Sequence, residues 1–358
     1  MVIYIAGFVL TLILSYISIK NKSNKKIYIL FAVLSAIPLF LISALRYGVG
    51  TDYFYRYVPD FVHLSKGNDV SNLELGFKLF EKFLMIFSKS YNILFITTSA
   101  LIIFPIFYLI YKKSKYPVIS ILLFIIGVFY FESLNLIRQY LAMTIILCSY
   151  PLLVDKKVFK WLLCVLLALS VHMSSIVCLV MILAVQKKFY SPIVTSIVSV
   201  TTLLFGPLIK KLMYIVVSFT PYSNYIDTIY SKTNIMESII VLNIFVYVIM
   251  YILYKKKMES NDISKEDTFF MNVQTLAVVM CVLSIQFSIM YRLVGFFMIF
   301  QIISIPKFLN LKSKFDKRIF LVLLLVLSIN FYHLYIKNNV NEVFPYRFFF
   351  DKETYYRK

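Results

Sequence analysis

The sequence predicts an all-α, polytopic integral membrane protein with about 10–12 transmembrane helices. Apolar residues make up 61% of the 358 residues, and the mean hydropathy is +0.83. Most apolar residues fall in long runs near the roughly 20 residues that a helix needs to cross the hydrocarbon core of a bilayer. Because backbone polar groups find no water inside a bilayer, such runs form helices.

The positions of the runs predict the individual helices. We place them at 2–19, 27–45, 92–111, 117–131, 136–154, 158–171, 174–186, 190–209, 237–254, 268–290, 292–306 and 319–336. The first helix is expected to be retained, because no basic residue precedes Lys20 as it would in a signal peptide.

Two apolar runs have lengths that do not fit one ordinary span. Residues 158–186 are too long for one helix and short for two, so we expect a short or re-entrant pair that meets near His172. Residues 268–306 are expected to turn between Gln286 and Arg292. If 158–186 formed a single helix instead, Lys187 and Lys188 would face outward and every later loop would change sides.

The distribution of basic residues sets the orientation. More than half of the 37 lysines and arginines lie in the predicted inner loops 20–26, 112–116, 155–160, 186–189, 255–267 and 307–318. Since short cytoplasmic loops carry the excess of Lys and Arg, both termini are predicted to lie outside. The chain is then one membrane domain, 1–358, with outer loops 46–91 and 210–236 and an outer tail, 337–358, that is either a lid or an interfacial anchor.

The first outer loop is predicted to contain an interfacial helix, Asn72 to Ser88. Its predicted apolar face consists of Leu73, Phe77, Phe80, Leu84 and Phe87. Its predicted polar face consists of Glu74, Lys78, Glu81 and Lys82.

Composition argues against several classes of protein. The net charge of +20 fits positive-inside loops and anionic headgroups, so no nucleic-acid partner is expected. All four cysteines lie inside apolar runs and are interpreted as packing residues. The sequence contains no GxxxxGK[ST], Asp-x-Asp, GxSxG or HExxH motif, and its three histidines lie in separate segments. We therefore expect no metal and no other cofactor.

The strongest functional signal is the segment from Arg46 to Tyr57, which follows the second apolar run. It places a cation, two glycines, Thr51, Asp52 and four tyrosines where a helix meets the headgroups. Arg138 and Gln139 form a polar stripe with Asn135 on a later helix, while His172 and Arg292 lie at the outer turns of the two unusual runs. Ionisable residues on membrane helices are candidates for function. The alternatives are that the arginines reach the headgroups, that His172 packs in the core and that the tyrosines are ordinary interface residues.

Three arginines at one membrane level favour a phosphate ligand, because a guanidinium offers a planar set of donors. In a membrane this indicates a lipid-linked phosphate or pyrophosphate. Asp52, Glu74 and Glu132 are predicted on the same side, where a carboxylate near cations stays ionised and could bind or deprotonate a sugar hydroxyl.

These residues resemble the EpsG family of bacterial exopolysaccharide proteins, relatives of the Wzy-type O-antigen and capsule polymerases. The matching residues are Arg46 with Gly50-Thr51-Asp52-Tyr53, Glu74-x-Gly76-Phe77, Arg138 with Ala142, His172 with Ser174 and Ser175, Arg292, and Pro345-Tyr346. The resemblance implies a multi-pass polymerase of the bacterial cytoplasmic membrane, with undecaprenyl-pyrophosphate-linked oligosaccharides, the lipid bilayer and a chain-length regulator as partners.

On this basis we expect a metal-independent glycosyltransferase. Asp52 is the expected base and His172 its rival; Arg138 and Arg292 are expected to bind pyrophosphate. Expected substrate-binding residues are Arg46, Gly50, Thr51, Tyr53, Tyr55, Glu74, Glu132 and Gln139. The alternatives are a flippase or exporter of the same lipid-linked sugar, and a membrane acyltransferase that modifies polysaccharide.

Overall fold

A computed structural model describes residues 1–70, 73–186, 188–218, 237–285 and 290–350. These residues form seventeen α-helices and contain no β-strand. The helices are α1 (Val2–Lys20), α2 (Lys25–Ala44), α3 (Val58–Ser65), α4 (Leu75–Phe87), α5 (Asn92–Lys113), α6 (Pro117–Ile126), α7 (Phe129–Asn135), α8 (Ile137–Val154), α9 (Val158–Val171), α10 (Met181–Gln186), α11 (Pro192–Leu204), α12 (Gly206–Ser218), α13 (Glu237–Glu259), α14 (Lys265–Ser284), α15 (Tyr291–Met298), α16 (Gln301–Phe308) and α17 (Lys314–Phe331). Short π or 3-10 segments cover Tyr53–Tyr57, Met173–Val180, Tyr332–Lys337 and Val340–Glu342.

The long apolar helices confirm the predicted fold class. Within the described residues, seven helices (α1, α2, α5, α8, α13, α14 and α17) are long and apolar enough to cross a membrane. Three further pairs would each make one span but are bent: α6 and α7 by 52°, α11 and α12 by 77°, and α15 and α16 by 44°. The protein is therefore a multi-pass membrane protein with up to ten such spans in the described residues.

The three bent pairs correct the continuous helices predicted at 117–131, 190–209 and 292–306. In the first pair the helix breaks at Val128. This residue has a left-handed φ of 70°, so the helical hydrogen bonding of α6 does not continue into α7. An added Cβ on Gly127 would lie only 2.4 Å from the Leu123 carbonyl oxygen, so this tight end of α6 requires glycine. The turning point predicted between Gln286 and Arg292 in the run 268–306 lies partly in 286–289, outside the described residues.

The predicted short pair at 158–186 is confirmed. Helix α9 has 14 residues and rises about 21 Å, which is less than the roughly 30 Å hydrocarbon core. It ends at Val171, His172 follows, and the chain continues through the 3-10 segment into α10. His172 thus lies between the two short arms.

Packing divides the chain into two compact units. The first contains Met1–Cys148, Leu167–Met173 and Ser328–Lys358; the second contains Ser149–Leu166 and Ser174–Leu327. The prediction of a single domain 1–358 remains a prediction.

The first unit has two distinct ends. At one end, the Tyr4 hydroxyl donates to the Val343 carbonyl (3.1 Å), and the Tyr47 amide donates to the Arg347 carbonyl (2.9 Å). The part of the tail that ends at Phe350 therefore binds beside the end of α2. At the other end, the Tyr28 hydroxyl donates to the Tyr111 carbonyl (3.3 Å), next to the lysine-rich turns. This separation agrees with the prediction that loop 46–91 and the tail lie on one side of the membrane and loops 20–26 and 112–116 on the other.

In the second unit, the predicted inner loops lie at one end. Lys307 pairs with Glu266, and the Tyr150 hydroxyl donates to the same carboxylate (2.7 Å). The Tyr254 hydroxyl donates to that of Tyr190 (3.2 Å). The segments that flank α8, α10, α13 and α16 thus share a side. This arrangement favours the even number of crossings over the alternative with a single helix at 158–186.

Candidate functional site

Arg46 is buried and anchors the end of α2. Its side chain is 1% exposed. One guanidinium nitrogen donates to the Ser43 carbonyl and hydroxyl, and the other donates to the Leu134 carbonyl (3.2 Å). The guanidinium carbon lies 4.8 Å from the centre of the Phe95 ring. Arg46 therefore neither reaches the headgroups nor pairs with Asp52; it joins α2 to the end of α7.

The residues after Arg46 dock on the same end of α7. Gly50 has a φ of +98°, and an added Cβ would lie 2.9 Å from the Leu134 carbonyl oxygen. The Thr51 hydroxyl (3.0 Å) and the Asp52 amide (2.9 Å) both donate to the side-chain oxygen of Asn135. The segment Gly50-Thr51-Asp52 thus fixes Asn135, the residue two positions before α8. The Asp52 side chain is half-buried.

Arg138 and Gln139 extend from the first turn of α8. Both are buried, at 7% and 4% exposure. The Gln139 amide donates weakly to the Met143 sulfur (3.7 Å). Because Asn135 is held by Thr51 and Asp52, the direction in which Arg138 leaves α8 is fixed by the Arg46–Asp52 segment.

Glu74 is the centre of the site. One carboxylate oxygen accepts from Arg138 Nη1 (2.5 Å), and the other contacts His172 Nδ1 (3.1 Å) and accepts from the Met173 amide (3.3 Å). The side chains of all three residues in the cluster Glu74, Arg138 and His172 are less than 15% exposed. The structure thus brings together three residues that the sequence assigned to separate segments.

The close approach of α4 to α9 depends on Gly76. An added Cβ there would lie 2.4 Å from the Ser170 hydroxyl and 2.6 Å from its carbonyl oxygen. Phe77 is fully buried, and its ring centre lies 5.9 Å from the Arg138 guanidinium carbon. The sequence Glu74-Leu75-Gly76-Phe77 therefore supplies a carboxylate, a close helix contact and an aromatic surface for the arginine.

Glu74 is anionic at neutral pH. Burial acts to raise its pKa, but the hydrogen bond from His172 and the charge of Arg138 outweigh burial and lower the pKa to about 2. An ionised carboxylate can only accept hydrogen bonds, so Nδ1 of His172 must be the donor. In the neutral form of His172, Nε2 is then the acceptor, which is the tautomer that a general base needs.

A second group of side chains surrounds Arg138. Burial raises the pKa of Asp60 and raises that of Tyr57 to about 12, and in both cases the charge of Arg138 opposes the rise. Glu81 is fully buried, and neither of its carboxylate oxygens has a hydrogen-bond partner. Burial and the charge of Asp60 raise its pKa to about 8. At neutral pH Glu81 is therefore mostly protonated.

The position of Glu81 corrects the predicted faces of α4. The buried side chains of this helix are Phe77, Glu81 and Leu84, whereas Phe83 and Phe87 are exposed. The predicted polar face thus contributes a buried carboxyl, in a helix that packs on α3 and α5.

The tyrosines of the first outer loop occupy different environments. Tyr53 is 1% exposed and stacks on Phe95 at 4.2 Å, so it supports Arg46 and presents no face to a ligand in this conformation. Tyr55 is 72% exposed. Tyr47 is half-buried and lies edge-on to Phe54, at 5.4 Å between ring centres.

Glu132 holds the tail in place. One of its carboxylate oxygens accepts from the Tyr335 hydroxyl (3.1 Å) and the Asn341 amide (3.3 Å). Asn341 in turn accepts from the Asn135 amide (3.1 Å). The predicted role of Glu132 in binding substrate stays a prediction.

Arg292 belongs to the second unit. It lies in the first turn of α15 and is half-buried. Its predicted place at the same membrane level as Arg46, Arg138 and His172 stays a prediction. Among the described residues, no three of His, Cys, Asp and Glu are grouped in a way that could hold a metal ion.

Sequence reasoning missed Glu81, Tyr57 and the contact between Gly76 and Ser170. Spacing gives a partial signal for Glu81, which lies seven residues after Glu74 and hence on the same face of α4. No local pattern indicates that Gly76 lies against Ser170, because this contact joins segments 94 residues apart.

The fold and the site define a multi-pass membrane protein with a carboxylate, a histidine and an arginine in direct contact. Its sequence matches the EpsG family over residues 29–348, which is most of its length. The protein therefore belongs to the EpsG family. No curated protein and no solved structure gives a significant match.

Proposed function

We propose that this protein is a polysaccharide polymerase of the bacterial cytoplasmic membrane. It joins undecaprenyl-pyrophosphate-linked oligosaccharide repeat units at the outer side. The observation that carries the proposal is the contact of Glu74 with both His172 and Arg138 in a chain of the EpsG family. A glycosyl transfer needs a base and a cation near the leaving group, and this cluster contains a candidate for each.

The reaction transfers the growing chain from its lipid carrier to the next repeat unit. A hydroxyl of the lipid-linked acceptor attacks the anomeric carbon of the donor sugar. The new glycosidic bond forms as the bond from that carbon to the pyrophosphate oxygen breaks, and undecaprenyl pyrophosphate leaves. The hydroxyl proton passes to the base, and cations stabilise the charge that develops on the leaving pyrophosphate.

We assign the base to His172. Glu74 fixes its tautomer and orientation, as a carboxylate does for the histidine in a catalytic triad. Asp52 remains the rival base, because its half-buried carboxyl lies in the segment that positions α8. The planar guanidinium of Arg138 suits bidentate recognition of phosphate oxygens, and together with Arg292 it is assigned to the pyrophosphate. Arg46 is a positioning residue.

Complementation of a deletion strain tests the proposal. Cells with His172→Gln should lose polymer by about 10²–10⁴-fold while single repeats accumulate outside the membrane, because the variant cannot accept a proton. Asp52→Asn should retain polymer. Protein level and carbohydrate chain length on gels are the measurements.

The opposite pattern, with His172→Gln active and Asp52→Asn inactive, would move the base to Asp52. Repeats trapped inside the membrane of the deletion strain would indicate a flippase, and full-length chains would indicate an acyltransferase.

A further inference from the structure

A cavity of about 310 Å³ lies in the first unit, between the residues after α2 and the C-terminal segment. Its lining includes Tyr47, Phe54, Asn339, Glu342, Phe344 and Arg347. The volume is at the small end of the range for ligand pockets, roughly 300–1,000 Å³. None of these residues belongs to the cluster of Glu74, Arg138 and His172.

The wall formed by the C-terminal segment is held in an unusual backbone conformation. Asn339, Asn341 and Glu342 have φ values of 45°, 64° and 51°, a left-handed region that asparagine tolerates but glutamate seldom adopts. The Asn339 side chain accepts from the Phe344 amide (2.9 Å) and donates to the Phe344 carbonyl (2.8 Å). Asn341 is held by Asn135 and Glu132. Strain of this kind is retained where surrounding contacts fix it, and it is common at binding sites.

The opposite wall is also built for close contact. Gly48 has a φ of +64°, and an added Cβ would lie 2.8 Å from the Phe54 ring. The amide of the preceding residue, Tyr47, donates to the Arg347 carbonyl (2.9 Å), which ties this wall to the tail. Both walls are therefore fixed before any ligand binds, which lowers the ordering cost of binding.

The lining selects the chemistry of the ligand. Tyr47 and Phe54 supply apolar rings, Glu342 supplies acceptors, Arg347 supplies donors and Asn339 supplies both. The opposite charges of Glu342 and Arg347 balance, so the lining gives no preference to an anion such as phosphate. Rings that cover apolar C–H groups, together with paired donors and acceptors for hydroxyls, match a neutral sugar.

We propose that this cavity is a subsite for a neutral sugar ring of the oligosaccharide, separate from the cluster where transfer occurs. The subsite rests on the proposed polymerase function and deepens it. It holds a part of the repeat unit that does not react, and the binding energy positions the reacting hydroxyl or anomeric carbon.

Binding of free oligosaccharide to the purified full-length protein tests the subsite. The probe is a set of oligosaccharides made by partial hydrolysis of the polysaccharide from cells that express this protein, and binding is measured by saturation-transfer NMR titration. Wild type should bind the oligosaccharides. Tyr47→Ala and Glu342→Gln should each weaken binding by about tenfold or more, which corresponds to about 1.4 kcal/mol. Tyr332→Ala, which removes an exposed tyrosine outside the cavity, is the control and should bind as wild type.

Unchanged binding by Tyr47→Ala, or no binding by wild type, would overturn the subsite. If Tyr47→Ala fails to fold, as judged by its Tm, the shape-preserving Glu342→Gln decides in its place. The polymerase function is judged separately: if Arg138→Lys and His172→Gln cells both make normal polymer, that function is wrong whatever the binding result.

Discussion

Glu74 uses both carboxylate oxygens to hold candidate residues from two distant parts of the chain. Arg138 comes from α8 and His172 follows the end of α9, and this carboxylate is the group that joins the two side chains. The low pKa of Glu74 means that this carboxyl stays ionised across the whole physiological pH range. Glu74 therefore orients both side chains, and its predicted role in binding substrate stays a prediction.

Glu81 provides a pH test at the scale of a single residue. Its folded-state pKa of about 8 exceeds the ordinary value of 4.5, so the folded protein holds a proton that the unfolded chain releases. The stability from this proton is present below pH 4.5 and is lost as pH rises toward 8, by at most about 1.4 kcal/mol per pH unit. Glu81→Gln should remove this loss, so its Tm should exceed that of wild type increasingly from pH 5 to pH 8.

The groups that face Glu81 are Asp60 and Arg138, and both are present in wild type and variant alike. The matched control is Glu74→Gln, in which a paired carboxylate is lost. Its Tm should fall at every pH from 5 to 8, because Arg138 is left without its partner. Equal Tm profiles for wild type and Glu81→Gln would contradict the protonated state of Glu81.

At the scale of elements, the contact between α4 and α9 determines whether the site forms. Gly76→Ala adds a Cβ 2.4 Å from the Ser170 hydroxyl, so the two helices must separate. We expect polymer to fall by at least about tenfold, because Glu74 and His172 are about 3.1 Å apart and a shift of 1 Å breaks their hydrogen bond. Polymer synthesis in complemented cells, at matched protein level, is the measurement.

A second substitution separates this effect from a general loss of helix stability. Ser170→Gly removes the hydroxyl and Cβ that the new methyl group would meet, though not the carbonyl oxygen. The double variant Gly76→Ala/Ser170→Gly should therefore recover part of the activity. Normal polymer from the single Gly76→Ala variant would mean that the close approach is not required.

The sequence could predict helices but not where they bend. Apolar runs report how much hydrocarbon a segment can cross, which is why α1, α2, α5 and α8 lie close to their predicted ranges. The bend at Val128 depends on one left-handed residue after Gly127, and mean hydropathy contains no such information. The burial of Glu81 likewise depends on α3 and α5, which share no periodic pattern with α4.

At the scale of the whole molecule, contacts between distant segments were beyond sequence reasoning. The tail was predicted to be a lid or an anchor. Its residues up to Phe350 bind the N-terminal helices, since Val343 accepts from Tyr4 and Phe349 donates to Leu45, and the choice between lid and anchor stays a prediction. Arg46 was predicted to bind substrate, with contact to the headgroups as the alternative; its guanidinium lies in the core against the Leu134 carbonyl, 88 residues away. Residue types and order could indicate candidate residues, whereas the hydrogen bonds between them depend on the fold.

Sidedness is the remaining property of the whole molecule, and cysteine labelling tests it. Asn68 and Asn338 are exposed and belong to the predicted outer loops, whereas Lys22 is exposed in a predicted inner turn. The four natural cysteines lie inside apolar runs. Since a maleimide reacts with any accessible thiol, a background in which all four are replaced is needed for specific labelling. In intact cells an impermeant maleimide should label Asn68→Cys and Asn338→Cys, and should label Lys22→Cys only after permeabilisation.

This expectation has two reasons: the positive-inside distribution of lysine, and the position of the Tyr28–Tyr111 contact at the opposite end of the first unit from Arg46. Labelling of Lys22→Cys in intact cells, with protection of the other two, would place the site on the cytoplasmic side and contradict transfer at the outer face.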